Sequence, residues 1–308
     1  MATTPTSAPR PPIQSLPPES GATTPRNGYD NGAYDAEAAA AGKGSGYEHI
    51  STTAAKPWSR RLDAHLRQTI NQAHTDLVLV VCCFCSGLLD SSVYNAWSCF
   101  VSMQTGNTIF LALGASNQPT AHPYGWAKSL LAISAFSIGS LSFARTTRLL
   151  TPLRRSTLIL SFLLQSTLIF AAAALVQSGA IGGRPMREGD PVAWLELLPL
   201  GLLAFQSSGQ MVTSRALGMA EIPTVVLTSV YCDTFSDPLL CVGVGKNVKR
   251  NRRMGGIVSL LLGAIVGGWV GKSDGGVAAV LFVAAGLKLG IVAAWALWKG
   301  EEAEGGKA

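Results

Sequence analysis

The sequence predicts an all-α integral membrane protein with six to eight hydrophobic segments. Three observations carry that prediction. Of the 308 residues, 48% are hydrophobic and only 14% charged, where a soluble domain carries about a quarter. The apolar residues gather beyond Asp76 in runs close to the length of a bilayer crossing. Lys and Arg collect in short clusters between those runs, as at Arg145, Arg148, Arg154 and Arg155, and at Lys246, Lys249, Arg250, Arg252 and Arg253. Such clusters orient a membrane protein.

The chain opens on residues rich in Pro, Thr, Ser, Ala and Gly. Residues 1–56 cannot bury enough apolar surface to offset the entropy of ordering, so a disordered cytoplasmic tail is expected. The first thirty residues hold several prolines and no apolar core, unlike a secretory signal; insertion is expected to be directed by the first membrane helix. In 57–75, Trp58, Leu62, Leu66 and Ile70 recur about every fourth position, predicting an amphipathic interfacial helix with its arginines at lipid headgroups. A transmembrane domain over 76–299 and a short polar tail over 300–308 follow.

Apolar segments fall at about 77–99, 100–115, 127–145, 156–178, 193–215, 222–243, 254–271 and 276–298. Against a crossing length of about 20 residues, six qualify comfortably. Segment 100–115 is short and carries Gln104, Thr105, Gly106, Asn107 and Thr108 in its middle. Segment 222–243 is long enough but carries Thr228, Ser229, Asp233, Ser236, Asp237 and Pro238. If neither crosses, both basic clusters share the side of Arg60, Arg61 and Arg67, leaving Lys128, Arg184, Arg187 and Lys272 opposite, the arrangement that the positive-inside rule favours. Both termini are then cytoplasmic. Each half, 77–178 and 193–298, becomes a span, a broken or re-entrant segment and two more spans. The second half starts from the opposite side, making an inverted repeat.

Gly255, Ser259, Gly263, Gly267 and Gly271 put small residues at every fourth position of one segment, baring a helix face for close packing. Polar groups at membrane depth are the candidate site. Asp90 lies near the middle of the first span, Asp233 in the second polar segment and Lys288 near the centre of the last span. An ionisable group there costs roughly 2.5–3.5 kcal/mol on insertion scales and faces a cavity or a partner. A substrate- or ion-binding site is therefore expected from Asp90 and Asp233 with Thr105, Gly106, Asn107, Thr108 and Thr228. The competing expectation is a buried structural network in which Lys288 neutralises an aspartate.

Other chemistries lack their residues. The four histidines, His49, His65, His74 and His122, lie outside the core of any span, leaving no Ser–His or zinc mechanism within the bilayer. Cys82, Cys83 and Cys85 have no second pair at zinc spacing and read as small hydrophobes. No metal and no cofactor is expected. No Walker loop or dinucleotide fingerprint is present, and the +6 charge comes without a nucleic-acid module.

Ser86-Gly87-Leu88-Leu89-Asp90, Phe100 to Thr108 (FVSMQTGNT) and Ile222 to Thr228 (IPTVVLT) with Asp233 following resemble the YoaK family of multi-pass membrane proteins, a domain of unknown function (number 1275). The resemblance runs from about Ala73 to Trp298, and with the disordered tail ahead of it the chain resembles a fungal-type member. The family pattern has Asn-Met-Thr-Gly-Asn where this chain has Met103-Gln104-Thr105-Gly106-Asn107, and Thr-Gly-Thr where it has Thr228-Ser229-Val230. The resemblance implies a multi-pass protein without an assigned activity.

These features lead to a small-solute or ion transporter with a polar midplane site, in the plasma membrane rather than an internal one. A non-transporting receptor, scaffold or assembly factor is the alternative, and an intramembrane enzyme the least favoured. The partners expected are the lipid bilayer and a small polar solute or ion, with no nucleic acid and a homo-oligomer left open.

Overall fold

The computed structural model describes residues 58–118, 124–183 and 193–301. The tail expected over 1–56 lies outside them, as do Arg184, Arg187 and all but the first two residues of the 300–308 tail. The described residues are helical, with no strand beyond two isolated bridges. A short helix α1 (Trp58–Arg67) precedes α2 (Thr75–Trp97), α3 (Gln104–Gly114), α4 (Gly125–Leu149), α5 (Arg155–Gln177), α6 (Leu197–Ala216), α7 (Thr228–Phe235), α8 (Val248–Val270) and α9 (Gly276–Leu297).

Local chemistry sets the ends. Ser98 stops α2 in the left-handed conformation (φ 53°), and Gly218 (φ 68°) does the same just past α6. Asn247 caps α8 by accepting from the Arg250 backbone N–H. That cap starts α8 six residues ahead of the expected apolar segment, with Arg252 held by Asp76 and Glu221, both at 3.1 Å. The apolar face of α1 stays open, Trp58 and Leu62 being exposed, as suits an interfacial helix.

Five helices, α2, α4, α5, α8 and α9, are long and apolar enough to cross a membrane. The sixth expected span is corrected in character. Helix α6 has 20 residues, about 30 Å, but it buries Gln206, Ser207, Ser208, Gln210, Thr213 and Ser214 and lacks the apolarity of the others. The reason is its position: α6 packs on α4, α5 and α2, so most of its surface meets protein rather than hydrocarbon. Both polar segments shrink to half-length helices of 11 and 8 residues, about 16 and 12 Å. Neither can cross.

Helix directions follow from register. Ser259 Oγ donates to the Val80 carbonyl at 2.8 Å, Gly263 lies against the Phe84 carbonyl, and Ser92 Oγ donates to the Gly267 carbonyl at 2.8 Å. Numbers rise together, so α2 and α8 are parallel. Gly201 meets Leu131, Gly139 meets the Phe205 carbonyl and Gly209 meets Phe143, making α4 and α6 parallel as well. Helices α5 and α9 run antiparallel, through Phe170–Phe282, Ser166 Oγ to the Ala285 carbonyl, and Phe162–Trp295.

The principal pairings obey an exchange rule. Replacing α2, α3, α4 and α5 by α6, α7, α8 and α9, and the reverse, turns α2–α8 into α6–α4, α5–α6 into α9–α2 and α3–α4 into α7–α8, and leaves α5–α9 and α2–α6 unchanged. With the helix directions, this is the pattern of an inverted repeat. One face of the bundle gathers Thr69 and Ile70, bridged to Arg154 and Gly300, with the starts of α2 and α8 joined by Arg252. The opposite face holds Trp97 Nε1 on the Gly182 carbonyl at 2.8 Å and the Lys128–Glu196 pair. Both basic clusters therefore lie on the α1 face. Arg155 among them is buried and internal: it donates to the Gln68 side chain at 3.0 Å, the Trp298 carbonyl at 2.5 Å and the His65 carbonyl.

Candidate functional site at the bundle centre

Two stretches of non-helical chain enter the bundle, 98–103 before α3 and 217–227 before α7. Backbone without helical hydrogen bonds survives at membrane depth only where protein or a cavity satisfies it. Here Val101, Ser102, Ile222, Thr224 and Val225 are all buried, and side chains from α2 and α6 supply the partners.

The first loop is held by Asp90. Its Oδ1 accepts the Val101 and Ser102 backbone N–H groups at 2.8 and 2.9 Å, and its other oxygen accepts the Ser102 hydroxyl. Asn107, fully buried at the start of α3, accepts from the Phe100 N–H at 3.1 Å and donates to the Phe100 carbonyl at 2.7 Å and to Gln104 Oε1 at 2.9 Å. Ser207 of α6 donates to the Val101 carbonyl at 2.9 Å. Gly106 makes room for Phe100, whose ring would stand 2.8 Å from an added Cβ; that ring stacks on Tyr94 at 4.5 Å. Among the expected site residues, Asp90, Gly106 and Asn107 thus converge on this loop, while Thr105 and Thr108 are exposed. Thr228 and Asp233 are exposed on α7, in the other half's polar element. The backbone carbonyl of Asp233 accepts from Arg253 at 3.0 Å.

The second loop is held by α6. Ser214 Oγ donates to the Met219 and Ile222 carbonyls at 2.9 and 2.7 Å, and Gln210 Nε2 reaches the Thr224 carbonyl at 3.5 Å. Thr224 sits at φ 67° with a hydroxyl that has no hydrogen-bond partner among the described residues, in a residue only 1% exposed. For a β-branched residue this conformation costs on the order of 1–3 kcal/mol, and such strain gathers at ligand clamps and switches.

Gln210 joins that loop to Lys288. Lys288, on α9, is 0% exposed. Its Nζ donates to Gln165 Oε1 of α5 at 2.7 Å and to Gln210 Oε1 of α6 at 2.5 Å, and stands 5.1 Å from the centre of the Phe162 ring. Gln210 Nε2 meets Ser86 Oγ at 2.6 Å and the Cys82 carbonyl at 3.3 Å on α2. Since those contacts use the amide nitrogen, its oxygen is committed to the lysine. Lys288 forms no ion pair among the described residues. Its neighbours are neutral dipoles, so the expected neutralisation of an aspartate by Lys288 does not occur. Lys288 lies 12 residues from one end of α9 and 9 from the other, about 18 and 14 Å, near mid-membrane.

The cluster Lys288–Gln165–Gln210–Ser86 draws on α2, α5, α6 and α9, two helices from each half. Sequence reasoning weighed Lys288 but missed the glutamines, although an isolated Gln within LLQST and two within FQSSGQ are visible as polar groups inside apolar runs. Of the small-residue stripe on α8, an added Cβ would lie 2.1 Å from the Phe84 carbonyl at Gly263 and 2.4 Å from the Leu88 carbonyl at Gly267, while Ser259 bonds to α2. Gly255 touches Val80, and Gly271 stands 3.7 Å from Ser92 Oγ. On the face opposite α1, a cavity of about 690 Å³ opens among Asn95, Gln177, Gly183, Lys272 and Asp274. Among the described residues no group of His, Cys, Asp and Glu side chains could hold a metal ion.

No curated protein and no solved structure matches the chain. The family described as protein of unknown function (DUF1275) matches residues 78–294, from the first turn of α2 to the last turn of α9. This span contains both loops, the buried lysine and every helix of the repeat, and the chain belongs to that family.

Proposed function

We propose that this protein is a permease for a small polar solute or ion, with its cargo site at the Lys288–Gln165–Gln210 cluster. One observation carries the reading: two interlocked halves, related by exchange, each drive a non-helical loop into the bundle beside a buried polar centre. Inverted repeats with broken helices at the midplane are a working geometry of secondary transporters, because the two arrangements of such a repeat expose one site to alternate sides. The centre is closed on both sides. Phe162, Ile291 and Trp295 pack toward the α1 face, and Ile169, Leu281 and Ala284 toward the other, so this is an occluded arrangement. The cavity near Lys272 and Asp274 serves as the vestibule on the latter side. The α1 face, with its arginines, is assigned to the cytoplasm by the positive-inside rule.

The test is flux through the purified full chain in liposomes, using a panel of uncharged polyols, amino acids, monovalent cations and monovalent anions. Uptake above protein-free vesicles for any one class supports a permease. A folded, correctly inserted protein that passes none of them returns the chain to the receptor or scaffold class. Single-cysteine accessibility at 149–152 and 247–251 checks the membrane side, both being expected cytoplasmic.

A further inference from the structure

We infer that the cargo of the central site is a small monovalent anion, bound between Lys288 and the Thr224 hydroxyl. The assignment rests on reading the midplane cluster as the cargo site. Lys288 Nζ, wholly out of water, donates to two amide oxygens and faces the Phe162 ring, as an ammonium would; opposite charge relieves the cost of burying such a group, and none is supplied beside it among the described residues. From α5 come Gln165 and Phe162, and from α6 comes Gln210. The titratable groups near it on α2 are the thiols of Cys82 and Cys85. No carboxylate joins them among the described residues.

Asp90, the acidic side chain buried in α2, is already occupied by two backbone N–H groups and the Ser102 hydroxyl. It is therefore committed to its loop. The remaining group is Thr224, whose backbone carbonyl lies 3.5 Å from the amide nitrogen of Gln210, the side chain whose oxygen holds Lys288. The Thr224 hydroxyl is buried without a partner among the described residues and held there by a strained backbone. An ammonium donor and a residue with an idle hydroxyl, both in contact with the one side chain of Gln210, suit an anion and repel a cation. A monovalent anion leaves the loaded centre neutral, the state that crosses a low-dielectric interior at least cost. In the occluded arrangement the two glutamine oxygens fill the anion's place on the lysine. Entry of the anion displaces at least one of them, and displacing Gln210 also frees the Thr224 carbonyl from its amide, while Ser214 keeps its hold on the loop.

Two measurements on the full chain decide the matter. In detergent, thermal unfolding is followed against sodium chloride, nitrate and formate, with sodium gluconate as a bulky control at equal ionic strength. A saturable rise in midpoint is expected for at least one small anion, abolished in Lys288→Gln and weakened several-fold in Thr224→Val. An equal rise in Lys288→Gln, or none in the wild type, overturns the proposal. In liposomes, the same anion is expected to enter at least tenfold faster than potassium or a polyol. Flux of polyols or cations without anion flux overturns the anion while leaving the permease intact. Anion stabilisation with no flux of any solute keeps the anion site and sinks the permease. Should Lys288→Gln fail to fold, Thr224→Val decides by itself: an unchanged midpoint shift in that variant overturns the site.

Discussion

Gly263 lies so close to Phe84 that a Cβ on the glycine would stand 2.1 Å from the phenylalanine's carbonyl oxygen. Its counterpart in the other pair is Gly139, where a Cβ would stand 2.6 Å from the carbonyl oxygen of Phe205. The two contacts join α8 to α2 and α4 to α6, pairs that exchange under the repeat. At Gly139 the Ser208 hydroxyl is also in the way at 2.5 Å, but a backbone carbonyl obstructs both sites, and turning a side chain aside cannot clear it.

Gly263→Ala and Gly139→Ala should each lower stability by about 1–3 kcal/mol, the range for overpacking a close contact. Gly268, on the same helix as Gly263, has nothing within 4 Å of a built Cβ. Gly268→Ala should leave the melting midpoint unchanged or raise it slightly, since alanine is the better helix former. Thermal melts of the three variants in one detergent make the comparison; equal losses at Gly263 and Gly268 would show that the close approach does not matter.

Asp90 serves the loop before α3 as an acceptor for three donors. Asp90→Ala strands buried N–H groups that each cost about 1–3 kcal/mol. Asp90→Asn keeps an oxygen for the two N–H groups and should lose less. Expression and melting midpoint should therefore rank wild type, Asn, Ala. An Asn variant as damaged as the Ala variant would mean that the charge, not the loop, is what Asp90 supplies.

The Lys128–Glu196 pair joins the start of α4 to the turn before α6, with side chains only 9% and 6% exposed. Removing one partner leaves a buried charge alone, at about 3–5 kcal/mol, whereas replacing both with apolar residues of similar volume is far milder. Glu196→Leu should destabilise strongly and Lys128→Met with Glu196→Leu should recover much of the loss. A double variant no better than the single one refutes the coupling.

Asp237 lies outside the spans, in the connection between α7 and α8. The Asn247 amide, the Leu239 N–H and nearby Arg253 and Arg250 hold its carboxyl below the ordinary value of 3.8. A carboxylate depressed in the folded state stabilises above its unfolded pKa and loses that contribution as pH falls through the folded one. The connection should thus be fully held at neutral pH and loosen below about pH 4. Hydrogen exchange over 237–247, corrected for intrinsic rates, should show that acid loosening in the wild type and not in Asp237→Asn.

Much of this architecture can be read from the chain because hydrocarbon imposes a simple length rule. The five apolar helices and the small-residue stripe of α8 follow from local pattern. The half-length of α3 and α7 was signalled by Thr105–Thr108 and by Thr228–Pro238, polar runs placed where a crossing helix needs its apolar middle. Helix α6 misled because length alone made it a comfortable span, whereas its FQSSGQ run lowers its hydropathy; that those polar side chains are buried against other helices is not written in the sequence. The site was the least legible part. Asp90 drew attention as a charge, yet its partners sit 11 and 12 residues away and satisfy it. Lys288 meets Gln165 and Gln210 only after separations of 123 and 78 residues, which no local spacing encodes.

The parallel contact of α2 with α8 also sets a timetable. The partner that covers Val80, Phe84 and Leu88 is synthesised well over a hundred residues later, and α4 likewise serves α6 of the opposite half. Neither half owns a finished core. A ribosome releasing the first four membrane elements leaves Gly87 and its neighbours facing lipid until α8 arrives, so assembly is completed only near the end of translation. Truncation before α8 should yield not a smaller working unit but a substrate for quality control, because each half is built as the other's missing wall.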